Sequence, residues 1–244
     1  MSFFKRNAKA KGLNAQQQKE LEEITRLAEQ GDFAAQCNLG ILYLSGHGVS
    51  QDYKKAYEWF LKAAENGSAA AQNNLGVMYM TGTYVPQDYV KAFGWYQKAA
   101  EQGDADAQYN LGVMLEKGKG VQRHLEKAAE WYQKAANQGH AKAQHNLGRL
   151  AGMYAEGNGV QQDLGKAFEY YQILAEQGIA DVQFIVGSML LIGKGVPRDI
   201  TKATEWLMKA SEQGHKLANL YLKETVPEIS SMSDFLEDLD REGL

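Results

Sequence analysis

Apolar residues return along this chain at two spacings. One segment type reads A-x-x-x-L-G-x-M-Y, as in Ala71, Leu75, Met78 and Tyr79, where steps of three and four place the apolar side chains on one side of an α-helix. A second, "QDYVKAFGWYQKAAEQG" at residues 87–103, puts Ala92, Trp95, Tyr96 and Ala99 on one stripe, with Asp88 as a good N-cap and Gly103 as a stop. The pattern predicts pairs of amphipathic helices, termed A and B, joined by a short loop of the form G-x-G-V.

The pairs recur. Gly31, Gly67, Gly103 and Gly139 are each 36 residues apart; Gly178 follows after 39 and Gly214 after another 36. The same ladder is climbed by Leu39-Gly40, Leu75-Gly76, Leu111-Gly112, Leu147-Gly148 and Val186-Gly187, and by Lys55-Ala56, Lys91-Ala92, Lys127-Ala128, Lys166-Ala167 and Lys202-Ala203. Five units therefore fill 31–214, at about 31–66, 67–102, 103–138, 139–177 and 178–213. Two such helices cannot cover their own apolar faces and neighbours must, so the expected fold is all-α, a right-handed α-solenoid of antiparallel helix pairs. The glycine after each helix-A leucine is expected to let two helix backbones approach. Trp59, Trp95, Trp131, Tyr170 and Trp206 are expected to fill the space between layers, each burial contributing roughly 1.5–3 kcal/mol.

The ends depart from the repeat. Residues 1–14 read as a flexible basic N-terminus and 15–30 as a capping helix with Leu21, Ile24 and Leu27 on its stripe. Residues 215–225 read as a lone C-terminal helix with Ala218 and Leu222 facing inward. Beyond it, 226–244 is an acidic tail in which Ser233 is a candidate cap for a short helix carrying Phe235, Leu236 and Leu239. The fourth unit also departs, since "NLGRLAGMYAEGNG" (146–159) carries three extra residues. Ala143, Leu147, Leu150, Ala151 and Tyr154 still share a stripe, so its helix A should grow by almost a turn and stop at Gly157. The longer helix is either tolerated variation or a ridge specific to a partner.

Charge and composition narrow the chemistry. A net charge of −4 gives no general pull toward nucleic acid. The most apolar run, 182–193, is far short of the ~20 residues that span a bilayer, so no membrane insertion is expected. The N-terminus has basic residues but no secretory h-region; with Phe3 and Phe4 it offers anionic lipid only weak anchoring. The single cysteine, Cys37, rules out an internal disulfide, and a cytoplasmic location is expected. The five histidines (His47, His124, His140, His145, His215) fall at unrelated repeat positions with no metal-binding spacing. The glycine loops follow helices rather than strands and lack the serine or threonine of a phosphate loop. No acid, base, nucleophile and metal constellation emerges, so neither an enzyme nor a cofactor is expected. The Lys-Ala lysines are expected to be neutralised by Glu58, Glu130, Glu169 and Glu205, three residues later.

The run A-x-x-x-L-G-x-M-Y-x-x-G-x-G-V-x-x-D-x-x-K-A-x-x-W-x-x-K-A-A resembles the Sel-one-like repeat family of tetratricopeptide-like solenoids over about residues 28–222. The resemblance implies an adaptor or scaffold for protein complexes. Bacterial relatives also imply an alternative, a dedicated immunity protein that holds a toxin or secreted effector inactive.

A partner would use positions the repeat leaves free. On helix A these are the residue before Asn in "AQxN" and those four and seven later. They are Cys37, Ile41 and Leu44; Asn73, Val77 and Met80; Tyr109, Val113 and Glu116; His145 and Arg149; and Phe184, Ser188 and Leu191. They would line a concave groove for a protein partner on an otherwise monomeric chain. The competing expectation is that Ile41, Val77 and Val113 merely pack between adjacent A helices.

Overall fold

The N-cap aspartates set the phase of the structure, a computed structural model that describes residues 13–222. The basic N-terminus up to residue 12 and the acidic tail with Ser233, Phe235, Leu236 and Leu239 lie outside the described residues. Asp52, Asp88, Asp163 and Asp199 each adopt extended backbone and accept the N–H three residues on, which starts a B helix. That bond holds the carboxyls of Asp88 and Asp199 below the usual carboxylate range. The B helices are α3 (Tyr53–Glu65), α5 (Tyr89–Glu101), α7 (Leu125–Asn137), α9 (Leu164–Glu176) and α11 (Ile200–Glu212). The A helices are α2 (Phe33–Ser45), α4 (Ala69–Thr81), α6 (Ala105–Lys117), α8 (Ala141–Glu156) and α10 (Ala180–Ile192). Helix α1 (Ala15–Glu29) precedes them and a twelfth, α12, occupies 216–222. Among the described residues there is no strand, and the chain is a helical-repeat solenoid.

The helices belong to two units, residues 1–140 with α1 to α7 and residues 141–244 with α8 to α12. Within each, consecutive helices pack as antiparallel pairs. Each A–B loop is closed by one recurring backbone bond, from the N–H of the B-helix cap to a carbonyl near the end of helix A: Asp52 to Tyr43, Asp88 to Tyr79, His124 to Leu115, Asp163 to Tyr154 and Asp199 to Leu190.

The interior differs from the sequence expectation in one respect. The tryptophans are only half-buried; each lies under a lysine of its own helix, with Lys62 over Trp59 at 4.4 Å and Lys134 over Trp131 at 4.0 Å. The residue after the tryptophan fills the core: Phe60, Tyr96, Tyr132 and Leu207 are fully buried. The helix-A glycine makes room for that side chain. A Cβ on Gly76 would lie 2.6 Å from ring carbons of Tyr96, and one on Gly40 2.6 Å from Phe60. At Gly112 a backbone oxygen is close as well, Ala128 O at 3.2 Å, so a ring and a backbone share the space.

The long helix of the fourth repeat absorbs its extra residues as the sequence implied. Helix α8 runs to Glu156, buries Ala143, Leu147, Leu150, Ala151 and Tyr154, and is followed by Gly157 in the left-handed region. Because the Asp163-to-Tyr154 bond keeps the loop in register, the extra residues lie before Tyr154. Ala151, fully buried, then stands where other repeats have glycine. Tyr171, the counterpart of Phe60, is accordingly only half-buried, while Tyr170 and Leu174 fill the core.

Buried glutamines tie neighbouring helices, and the sequence reading missed them. Gln72 Nε2 donates to the Ala64 carbonyl (3.2 Å) and its Oε1 accepts from Gln102 (2.8 Å). Gln108 does the same with Ala100 and Gln138, and Gln183 with Ala175 and Gln213. A buried amide with both ends satisfied fixes register between repeats where an apolar contact would slide.

Candidate functional site

In the first unit the candidate residues lie on α2, α4 and α6. Ile41 is 42% and Val77 37% exposed, which sets them apart from residues packed between A helices, while Val113 is half-buried. Leu44 and Met80 are half-buried, Leu44 against the core. Cys37 departs from its expected place: at 4% exposure it is a core residue, and burial pushes its thiol pKa up. Asn73 Oδ1 accepts from Asn110 Nδ2 at 3.2 Å, a bridge from α6 to α4. Glu116 accepts the Tyr132 hydroxyl at 2.8 Å, so it anchors the buried ring as well as facing outward. Tyr109 is half-buried between Tyr132 and His140, stacked on the imidazole at 4.7 Å.

The second unit holds the other five on α8 and α10. His145 and Arg149 are exposed, with Arg149 Nη1 3.1 Å from Met153 Sδ. Phe184 stacks on His215 at 4.5 Å and meets Tyr221 edge-on at 5.4 Å. The Ser188 hydroxyl donates to the Phe184 carbonyl, 2.8 Å away. Leu191 is half-buried.

Two histidines thus share a role, contrary to the expectation of unrelated positions. His140 and His215 each directly follow the glycine of a Gln-Gly turn. Each stacks on an aromatic of the preceding A helix and places Nε2 near an aspartate of that helix, Asp106 at 3.2 Å and Asp181 at 3.5 Å. The signal was a histidine recurring at one repeat position with an aromatic 31 residues before it. Tyr109 and Phe184 are consequently half-covered by histidine, which leaves Ile41 and Val77 as the freest apolar surface on the candidate face.

The remaining chemistry is structural. Three of the Lys-Ala lysines pair backward with the cap, Lys55 with Asp52 at 3.8 Å, Lys91 with Asp88 at 3.5 Å and Lys202 with Asp199 at 3.2 Å, and Lys55 and Lys202 do so instead of pairing forward with Glu58 and Glu205. Among the described residues no cluster of His, Cys, Asp and Glu could hold a metal ion, and no helix is long and apolar enough to cross a membrane.

Comparison with known proteins identifies the repeat. A family model described as Sel1 repeat matches residues 33–68, 69–104, 105–140, 141–179 and 180–215. The chain is similar to the crystal structure of c5321, a protective antigen of uropathogenic Escherichia coli strains displaying an SLR fold, with 36% identity and a TM-score of 0.59 over 85% of this chain and 44% of that one. It thus spans less than half the length of c5321. It is also similar to a Sel1 repeat protein from Oxalobacter formigenes, with 35% identity and a TM-score of 0.56 over 83% of this chain and 81% of that one. Immunity protein Pa5087 from Pseudomonas aeruginosa is a more distant likeness, 23% identical with a TM-score of 0.44 over 84% of this chain and 77% of that one. No curated protein matches the chain.

Proposed function

The chain belongs to the Sel1 repeat family, and from that premise we propose that it is a non-enzymatic interaction scaffold that grips a protein partner on its helix-A surface. One observation carries the reading. Ile41 and Val77 repeat the same helix-A position in successive units, yet stay exposed rather than packed against each other. Apolar side chains held in register on rigid helices bind with little ordering cost. Leu44, Met80 and Val113 border them, and Tyr109 adds an aromatic edge. The setting of this reading is a bacterial cytoplasm, in keeping with a single, buried cysteine.

The test is affinity capture from cells of the source organism, comparing the wild-type chain with Ile41→Asp/Val77→Asp by quantitative mass spectrometry. Far-UV circular dichroism should be unchanged and partner recovery at least tenfold lower. Equal recovery by a folded variant refutes the reading. Capture of one toxin or secreted effector, with growth rescued on co-expression, identifies a dedicated inhibitor; several unrelated partners identify a scaffold.

A further inference from the structure

The chain contains two Asn-Gly pairs, Asn66-Gly67 and Asn158-Gly159. Such a pair carries chemistry of its own. Glycine has no side chain to obstruct it, so its amide nitrogen can close a five-membered ring on the Cγ of the preceding asparagine. The ring forms only where the peptide unit joining the two residues can rotate and the glycine N–H is free. The two pairs are the same in sequence, and all four residues are exposed.

Backbone hydrogen bonds separate them. Asn66 is the C-cap of α3 at φ −85° and ψ 11°, and Gly67 lies between that helix and Ser68, the N-cap of α4. Gly67 N–H donates to Ala64 O at 3.1 Å, Ser68 N–H to Ala63 O at 3.0 Å, and Asn66 Nδ2 to Gln36 Oε1 at 3.5 Å. Turning the peptide unit between Asn66 and Gly67 therefore frays the end of one helix and unseats the start of the next. Asn158 instead lies in the A–B loop after α8. Its own N–H donates to Met153 O at 3.0 Å, and the next backbone bond runs from Asp163 N–H to Tyr154 O at 2.9 Å. Between those two anchors Gly159 to Gln162 make no backbone–backbone hydrogen bond. Among the described residues neither the Asn158 side chain nor the Gly159 N–H has a hydrogen-bond partner.

The fourth repeat is alone in joining this open backbone to an asparagine. By repeat register the residue in the place of Asn158 is His47, Thr83, Lys119 or Lys194. The loop also has room to move. A Cβ on Gly120 would lie 2.6 Å from the backbone of Tyr89, whereas one on Gly159 would meet only Met153 Cε at 3.6 Å.

We propose that Asn158 is a site of spontaneous deamidation and that the fold protects Asn66 from the same reaction. Gly159 N attacks Asn158 Cγ, the Cγ–Nδ2 bond breaks, and the glycine proton leaves with Nδ2 as ammonia. Water then opens the cyclic imide. Attack at Cγ leaves aspartate; attack at the backbone carbonyl carbon leaves isoaspartate, with the chain now running through Cγ. Either product puts a carboxylate just past the carbonyl end of α8, where the helix dipole disfavours negative charge. Isoaspartate also inserts a carbon into the backbone between the two anchoring bonds. The reaction thus adds charge and slack to the one repeat that already carries three extra residues.

The test is hydroxylamine, which cuts a chain at the cyclic imide, applied at pH 9 to the folded protein and to the same protein in guanidinium chloride. Fragments are identified by mass spectrometry and folding is verified by far-UV circular dichroism. The unfolded chain should be cut after both asparagines. The folded chain should be cut after Asn158 at least about tenfold faster than after Asn66, where backbone bonds must first open. Peptide mapping after storage of the folded protein at pH 7.4 should find aspartate and isoaspartate at position 158 while Asn66 stays an amide. Asn158→Gln, which would need a larger ring, should abolish cutting there and leave Asn66 as slow as before. Equal cutting after the two asparagines of the folded chain overturns the proposal, as does a folded chain that resists cutting after Asn158 while the unfolded chain is cut there.

Discussion

Two glycines of the second repeat should answer the same substitution in opposite ways. Gly76 lies within α4 and Gly94 within α5, and alanine at either gains about 1 kcal/mol of helix propensity. At Gly94 a new Cβ meets nothing within 4 Å. At Gly76 it would lie 2.6 Å from both Cδ1 and Cε1 of Tyr96 and 3.1 Å from Cγ, against a fully buried ring with no room to turn aside. Overpacking of this kind costs about 1–3 kcal/mol. Gly94→Ala should therefore gain up to about 1 kcal/mol and Gly76→Ala should lose roughly 0–2 kcal/mol. The difference between the variants, about 1–3 kcal/mol, isolates the packing term because propensity cancels. Urea unfolding followed at 222 nm, with m-values compared to show that the same unit unfolds, measures it. Gly148→Ala provides a control, since its Cβ would meet only Leu174 Cδ1 at an ordinary 3.4 Å, and it should behave like Gly94→Ala. If Gly76→Ala proved as stable as Gly94→Ala, the assignment of the helix-A glycine as a socket for the B-helix ring would be wrong.

Two more predictions follow from the same geometry. Gln108→Ala removes two inter-helix hydrogen bonds, to the Ala100 carbonyl and from the Gln138 amide, groups that retain Gly103 N–H and the Gly103 carbonyl as partners, and should destabilise the chain by about 1–3 kcal/mol in urea, whereas the exposed Gln97→Ala should change little. Burial, with the neighbouring Tyr79 hydroxyl, pushes the Tyr57 phenol up from 10 to about 12. The folded state therefore keeps that proton longer than the unfolded chain does. Its contribution is fully present below pH 10 and is lost as pH rises from 10 through about 12. Urea midpoints taken across that window should fall less steeply for Tyr57→Phe than for the wild type, and parallel curves would contradict the assignment.

The candidate site was legible only in outline. Helix periodicity located the free positions of helix A, and Ile41 and Val77 are where that pattern put them. Cys37 obeyed the same spacing yet is buried, because the face opposite the A–B contact of one repeat is partly covered by the next, and no single-helix pattern contains that neighbour. Tyr109 and Phe184 likewise met histidines from the following turn, 31 residues away. The contrast between Asn66 and Asn158 was invisible for a different reason: the two Asn-Gly pairs read alike until the backbone bond of Gly67 is known.

By itself the sequence determined the period, the helix pairs, their caps and the lengthened α8, since these depend on spacings within a few turns of chain and on the conformational limits of aspartate and glycine. Only the tertiary structure decided which of two adjacent aromatics enters the core. Trp95 and Tyr96 lie about 100° apart on one helix, and both satisfy an amphipathic stripe. The choice falls to the socket at Gly76 on the opposing helix, and hence to packing between segments rather than to any property of either one.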